Sequence, residues 1–255
     1  MKVDVLLSSG FLCFSSHCGF LRALESSDLE PQAYVGVSSG SLAAAFSAAG
    51  MDASEIEQQL GGQRPISLVR PSMTPWNGPL SSRALLRRLR DVLPPTFEDL
   101  ALPLAVGVYT KDAVSGSRQP ILVVSGDLPA AVAASCAVPG MFGPIALEGT
   151  GYASGDQATA IAGARCLDGG AVDRTSCRGW SRWRPNAAGV LHLVSDLPSG
   201  EHGPRDCVDA GSNSLLGVVR TPRARASFFS LRDFDAQVEA AAQQATTQLA
   251  QLRIA

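Results

Sequence analysis

Lysine is nearly missing from this 255-residue chain: Lys2 and Lys111 are the only two, and arginine carries the rest of the positive charge. Its 21 basic side chains face 23 acidic ones, leaving a formal net charge of −2. That balance provides no global field for nucleic acid, which is not an expected partner. Long apolar runs are missing as well, since nothing approaches the roughly 18 consecutive apolar residues of a membrane span. The opening Val3-Asp4-Val5-Leu6-Leu7 lacks the basic n-region and cleavage site of a secretory signal. A cytoplasmic or peripheral membrane location is therefore the expectation. No C-x-x-C pair and no Cys/His cluster with zinc-ligand spacing occurs, so no metal site is implied. The six cysteines (Cys13, Cys18, Cys136, Cys166, Cys177 and Cys207) mostly stand beside apolar or small residues. They are read as reduced thiols that pack as small hydrophobes.

What is present suits a packed globular chain. Hydrophobic residues make up 45% and charged residues 17%, which excludes a disordered composition. No internal repeat or low-complexity linker divides the sequence, so residues 1–255 are expected to form a single domain. Val3–Leu7 reads as a buried strand, Cys18–Glu25 as a helix, Ala33–Val37 as a strand and Ser39–Ala49 as a helix. This β-α-β-α opening indicates an α/β fold with a mainly parallel central sheet. Asp52-x-x-Glu55 has the form of a capping box. Ser82 stands where it would cap a helix over Ala84–Leu93, which Pro94-Pro95 ends. Leu104–Tyr109, Ile121–Val124 and Ala188–Ser195 read as strands, and Leu128–Ala134 and Phe234–Leu252 as helices. Gly149–Ala164 and Asp196–Ser214 read as loops.

Gly36-Val37-Ser38-Ser39-Gly40 matches G-x-S-x-G between a strand and a helix. A serine there sits in a sharp strained turn, so Gly36 and Gly40 must be small enough for backbone and helix to approach closely. Ser38 would project at the helix N-terminus, where free N–H groups and the helix dipole favour developing negative charge. A glycine- and serine-rich turn with no chemistry is the plainer alternative.

An α/β-hydrolase triad would follow the order Ser38, Asp168, then His192 or His202. The elbow comes too early for that fold, with only one βα unit ahead of it. His192 also lies in the alternating Leu191-His192-Leu193-Val194, where a core histidine is the commoner reading. A Ser-Asp dyad explains the residues better. Asp168 stands immediately before Gly169 and Gly170, which would let the chain turn and bring the carboxylate close to another backbone. An ordinary β-turn aspartate is the competing explanation.

Together these motifs resemble the patatin-like phospholipase family, which uses G-x-S-x-G with D-G-G or D-G-A. Phe20-Leu21-Arg22-Ala23-Leu24-Glu25 is similar to the helix between that family's oxyanion loop and its elbow. Phe97–Leu104 is similar to the lead into its next core strand, and Ala134–Phe142 to its A-S-x-x-x-P-G-x-F stretch. The resemblance implies a three-layer α/β/α fold and a serine acyl hydrolase acting on lipid esters. Ser38 would be the nucleophile and Asp168 the base, with no cofactor. The oxyanion segment departs from the family. Where a glycine run, a basic residue and a further glycine are usual, the chain has Ser9-Gly10-Phe11-Leu12-Cys13-Phe14. Backbone N–H groups near Gly10 and Phe11 would form the hole. Phe11 loses the freedom of a glycine to take positive φ. The alternating Arg178-Gly179-Trp180-Ser181-Arg182-Trp183-Arg184 suits a membrane interface, or else a solvated loop over packed tryptophans. An inactive lipid-binding protein and an acyltransferase are the rival functions.

Overall fold

The computed structural model describes residues 1–112, 115–153, 155, 157–195 and 214–252. The chain opens as β1 (Lys2–Leu7), α1 (Phe14–Glu25), β2 (Glu30–Val37), α2 (Ser39–Ala48) and α3 (Ala53–Gly61). A short hairpin, β3 (Arg70–Pro71) with β4 (Leu80–Ser81), precedes α4 (Arg83–Val92), β5 (Leu104–Lys111), β6 (Arg118–Val123) and α5 (Leu128–Ser135). Next come β7 (Ile145–Leu147), β8 (Thr150–Tyr152), β9 (Thr159–Ala160) and β10 (Ala164–Asp168). The described chain ends with α6 (Cys177–Trp183), β11 (Ala188–Val194), β12 (Ser214–Thr221) and α7 (Phe234–Leu249).

Ten of the strands form one sheet. Its order is β12-β11-β1-β2-β5, parallel throughout, then β6-β8-β9, antiparallel. Strand β10 runs antiparallel to both β5 and β7. Side-chain alternation sorts the strands between two apolar layers. Val3, Val5 and Leu7 of β1 join Phe20 of α1, Ala43 of α2 and Val132 of α5 on one face. Leu6 turns the other way, toward Val35, Ala105, Leu122, Leu191 and Trp180 of α6. The result is the expected three-layer α/β/α arrangement.

Several local expectations meet their atoms. The capping box is complete, with Glu55 N–H donating to Asp52 at 2.8 Å and Asp52 N–H to the Glu55 carboxylate at 2.9 Å. Helix α4 starts beside Ser82, whose side chain nevertheless makes no capping hydrogen bond. Helix α1 begins at Phe14, four residues ahead of the expected Cys18. Its first turn carries buried Ser15, Ser16 and His17, and such polar residues hide a helix from apolar periodicity.

Other expectations need correction. Gly149–Ala164 contains β8 and β9 and reaches the first residue of β10. These strands are two to five residues long, too short to show alternation. Residues 196–213, with His202 and Cys207, lie outside the described residues. Cys13, Cys18, Cys136 and Cys166 are free thiols. Cys177 is disulfide-bonded, so the reduced reading fails there. No helix among the described residues is long and apolar enough to cross a membrane.

The Arg178–Arg184 segment is also not a loop, because most of it forms α6. Trp180 is 1% exposed and fills the space where Gly189 has no side chain. Its indole N–H donates to buried Asp4 at 2.8 Å, and Arg184 Nε donates to the same oxygen at 2.6 Å. The tryptophan is thus a core anchor for α6 against β1. Replacing it removes a large buried ring and one partner of a buried carboxylate. Urea unfolding should show Trp180→Ala destabilised by about 3–5 kcal/mol, a cost that an exposed interfacial tryptophan would not produce.

Candidate active site

Ser38 links β2 to α2 with φ 54° and ψ −124°. A non-glycine residue in such a conformation stores about 1–3 kcal/mol of strain and persists only where its surroundings over-determine it. Here both backbone groups of Ser38 are held. Its N–H donates to Ser135 Oγ at 2.8 Å, and that hydroxyl donates to the Gly107 carbonyl at 2.7 Å. Its carbonyl accepts from the Ser41 N–H and hydroxyl at 2.8 and 2.7 Å, and from the Cys136 thiol at 3.4 Å. Gly40 is forced by close approach, since a Cβ there would lie 2.6 Å from the Ser8 carbonyl oxygen. At Gly36 a Cβ would meet Ser41 Cα at 2.5 Å.

Asp168 ends β10, and its N–H donates to the Ala137 carbonyl at 3.0 Å. The Ser38 hydroxyl donates to Asp168 Oδ2 at 2.7 Å, and Gly170 N–H donates to Oδ1 at 2.8 Å. Gly169 allows this approach, because a Cβ would stand 2.5 Å from the Gly107 carbonyl oxygen. Ser38 and Asp168 are 8% and 6% exposed. Burial pushes the Asp168 carboxyl up from 3.8 to about 6, against the opposing pull of the Ser38 and Gly170 hydrogen bonds. At neutral pH the carboxylate form therefore predominates.

His192 has no contact with this pair. It is fully buried, with Nδ1 3.0 Å from His17 Nδ1 and Nε2 2.8 Å from Thr221 Oγ1. The structure thus brings Ser38 and Asp168 together and leaves His192 in the core.

The Gly10–Cys13 segment closes a turn in which Cys13 N–H donates to the Gly10 carbonyl at 3.0 Å. Leu12, not Phe11, holds the left-handed conformation, at φ 56°. This is the type II pattern, which puts the positive φ at the third turn residue. Phe11 thus escapes the requirement expected of it. Among the described residues the N–H groups of Gly10, Phe11 and Ser39 make no hydrogen bond, whereas Ser9 N–H is taken by the Arg174 carbonyl at 2.8 Å. Cys13 stands where the family pattern has a basic residue, and Arg174 and Arg223 act electrostatically on its thiol.

Ser38 opens into an apolar cleft of about 80 Å³ walled by Phe11, Phe14, Leu42, Leu85, Phe142 and Phe228. A smaller hollow shares Phe14, Leu42 and Leu85 with it and continues toward Gln59 and Arg88. No group of three metal-ligating side chains occurs among the described residues. Sequence reasoning missed that Ser135 holds the Ser38 N–H and that His17 and Ser39 lie in hydrogen-bonding contact behind the turn. Ser135 and Ser39 stood inside recognised motifs that name no partner for them, and His17 had no signal beyond its polarity.

A model of the patatin-like phospholipase family matches residues 5–177. Those residues run from within β1 through the elbow and Asp168 to the first residue of α6, and the chain belongs to that family, a family of lipid acyl hydrolases. Among solved structures, VipD from Legionella pneumophila is similar at 14% identity and a TM-score of 0.51, covering 98% of this chain and 67% of that one. The type III effector protein ExoU is similar at 16% identity and a TM-score of 0.54, covering 100% of this chain and 54% of that one. These likenesses establish the shared fold. This chain spans only about half to two thirds of either protein. No curated protein matches it.

The raised Asp168 value predicts a pH signature in stability. The native state binds this proton more tightly than the unfolded chain does. The resulting stabilisation is full below about pH 4 and is lost as pH rises through about 6. Urea unfolding from pH 4 to pH 7 should show wild type losing on the order of 2–3 kcal/mol relative to Asp168→Asn, with a flat difference above that range.

Proposed function

We propose that the protein, as one acyl hydrolase domain over residues 1–255, cleaves fatty-acyl esters of lipids through a Ser38–Asp168 dyad. The 2.7 Å hydrogen bond from Ser38 Oγ to a buried carboxylate, at a strained elbow, carries this reading. Asp168 takes the hydroxyl proton as Ser38 Oγ attacks the ester carbonyl carbon. The carbonyl π pair moves onto oxygen, which the free N–H groups of Gly10, Phe11 and Ser39 receive. Collapse of this intermediate expels the alcohol, protonated by Asp168, and leaves an acyl-serine. Water deprotonated by Asp168 then attacks that ester and releases the fatty acid. The apolar cleft and its continuation toward Arg88 offer a path for the acyl chain.

Substrate access fits a lipid surface. Phe11 at the cleft mouth is 40% exposed, Ile66 38% and Phe229 72%, and Trp76 is 79% exposed beyond Phe142. Ile66 N–H donates to the Phe228 carbonyl at 2.8 Å, and Phe11 meets Phe228 edge-on at 5.5 Å. Exposed apolar side chains around an apolar entrance suit docking on a membrane interface. This mouth, rather than the Arg178–Arg184 helix, is the proposed contact.

Ser38→Ala and Asp168→Asn should each lower turnover of p-nitrophenyl acyl esters by about 10³-fold or more, and Ser38→Ala should abolish fluorophosphonate labelling. A wild type that neither labels nor hydrolyses any ester would leave a lipid-binding protein instead. Transfer of the acyl group to an added alcohol in preference to water would indicate an acyltransferase. For an active wild type, kcat/KM should fall about tenfold per pH unit below about 6 and level off above it, as the base protonates. A Phe229→Ala/Trp76→Ala double variant should bind anionic vesicles more weakly while hydrolysing a soluble short-chain ester at the wild-type rate.

A further inference from the structure

Behind the oxyanion segment lies a buried chain of hydrogen bonds that the dyad does not use. Ser39 Oγ donates to the Gly10 carbonyl at 2.5 Å and lies 3.0 Å from His17 Nε2. His17 Nδ1 is 3.0 Å from His192 Nδ1, and His192 Nε2 is 2.8 Å from Thr221 Oγ1. His17, His192 and Thr221 are all 0% exposed, and the Phe20 ring stacks on His192 with centroids 4.4 Å apart.

Proton accounting leaves one arrangement. The Gly10 carbonyl can only accept, so the single Ser39 hydroxyl hydrogen is committed to it. Ser39 Oγ must then accept, which places a hydrogen on His17 Nε2. Burial holds His17 neutral by pushing its value down to about 3, so its Nδ1 is bare and accepts from His192 Nδ1–H. Burial, reinforced by His17, lowers His192 as well, so its Nε2 is bare and accepts from the Thr221 hydroxyl. Every polar atom has one role, the condition under which a buried network is rigid rather than costly.

The far end of this chain bears on the proposed chemistry. In a trans peptide the C=O and the following N–H point in opposite directions. Fixing the Gly10 carbonyl therefore fixes the direction of the Phe11 N–H. We propose that His17 and His192 are positioning residues that act through Ser39 to lock the Gly10–Phe11 peptide as an oxyanion donor, adding a buried side-chain anchor to the carbonyl that the Cys13 N–H holds from the turn side. The proposal rests on reading Gly10–Phe11 as the oxyanion segment.

Two measurements test it. Long-range ¹H–¹⁵N correlation of the imidazoles should show His17 as the Nε2–H tautomer and His192 as the Nδ1–H tautomer, both neutral from pH 5 to 9. This readout requires no turnover, so it decides the network even if the protein hydrolyses nothing. The opposite tautomers, or an imidazole that titrates in that range, would overturn it. In the second, Ser39→Ala and His17→Phe should each lower kcat by up to about 10²-fold, with KM changing less than about twofold. The double variant should be no slower than Ser39→Ala alone, and His17→Gln, which keeps a donor near Nε2, should recover part of the loss. The Phe11 amide resonance should shift in Ser39→Ala and in His17→Phe alike. Losses that multiply in the double variant, or an unmoved Phe11 amide, would make the two side chains independent packing residues and sink the positioning role.

Discussion

Holding Ser38 at φ 54° against its own backbone preference is the constraint around which the rest of the structure is arranged. The strain is small beside the whole fold, yet it would relax at once if the turn were free. Helix α5 sends Ser135 to the Ser38 N–H, and the next residue sends the Cys136 thiol to its carbonyl. The start of α2 closes on the same carbonyl through Ser41. The loop after β1 crosses where only Gly40 leaves room. Three pieces of chain, the end of α5 with Cys136, the start of α2 and the loop after β1, thus close around one turn.

Much of this was legible in the sequence because it depends on short-range rules. G-x-S-x-G between a strand-like and a helix-like run locates the elbow, and D-G-G locates a carboxylate at a sharp turn. The capping box at Asp52 and the break at Pro94-Pro95 set helix limits in the same local way. What escaped depends on partners distant in sequence. Trp180 looks interfacial beside its arginines until Asp4, at the other end of the chain, accepts its N–H. The Gly10–Cys13 turn is a local exception: as a type II turn it puts the positive φ at its third residue, Leu12, which no residue-by-residue comparison with a glycine run could show. The start of α1 is hidden by Ser15, Ser16 and His17, which are polar yet buried. His17 finds its partners on β11 and α2.

The same burial that shields the Ser38–Asp168 pair also raises the carboxyl toward 6. A carboxyl of that strength is ionised at neutral pH, and in the proposed role of general base it would be closer in proton affinity to its task than an exposed aspartate. The Gly170 N–H moderates the shift by favouring the charged form. The position of Asp168, buried yet given one backbone donor, therefore sets the pH at which its carboxyl changes charge.

Strand β5 has a role that its plain sequence conceals. It is parallel to β2, with Gly107 opposite Val37, and antiparallel to β10, with Val108 opposite Asp168. The two members of the pair thus come from strands that do not pair with each other and are both measured from one ruler. A one-residue slip of β10 on β5 would turn Asp168 to the opposite face. The chain between β5 and β10 adds the lateral supports, since Ser135 and Cys136 hold the Ser38 backbone and the Ala137 carbonyl holds the Asp168 N–H. Changes of length are therefore confined to parts of that chain outside Ser135–Ala137, where surface can be gained or shed while the spacing of Ser38 and Asp168 stays as β5 dictates.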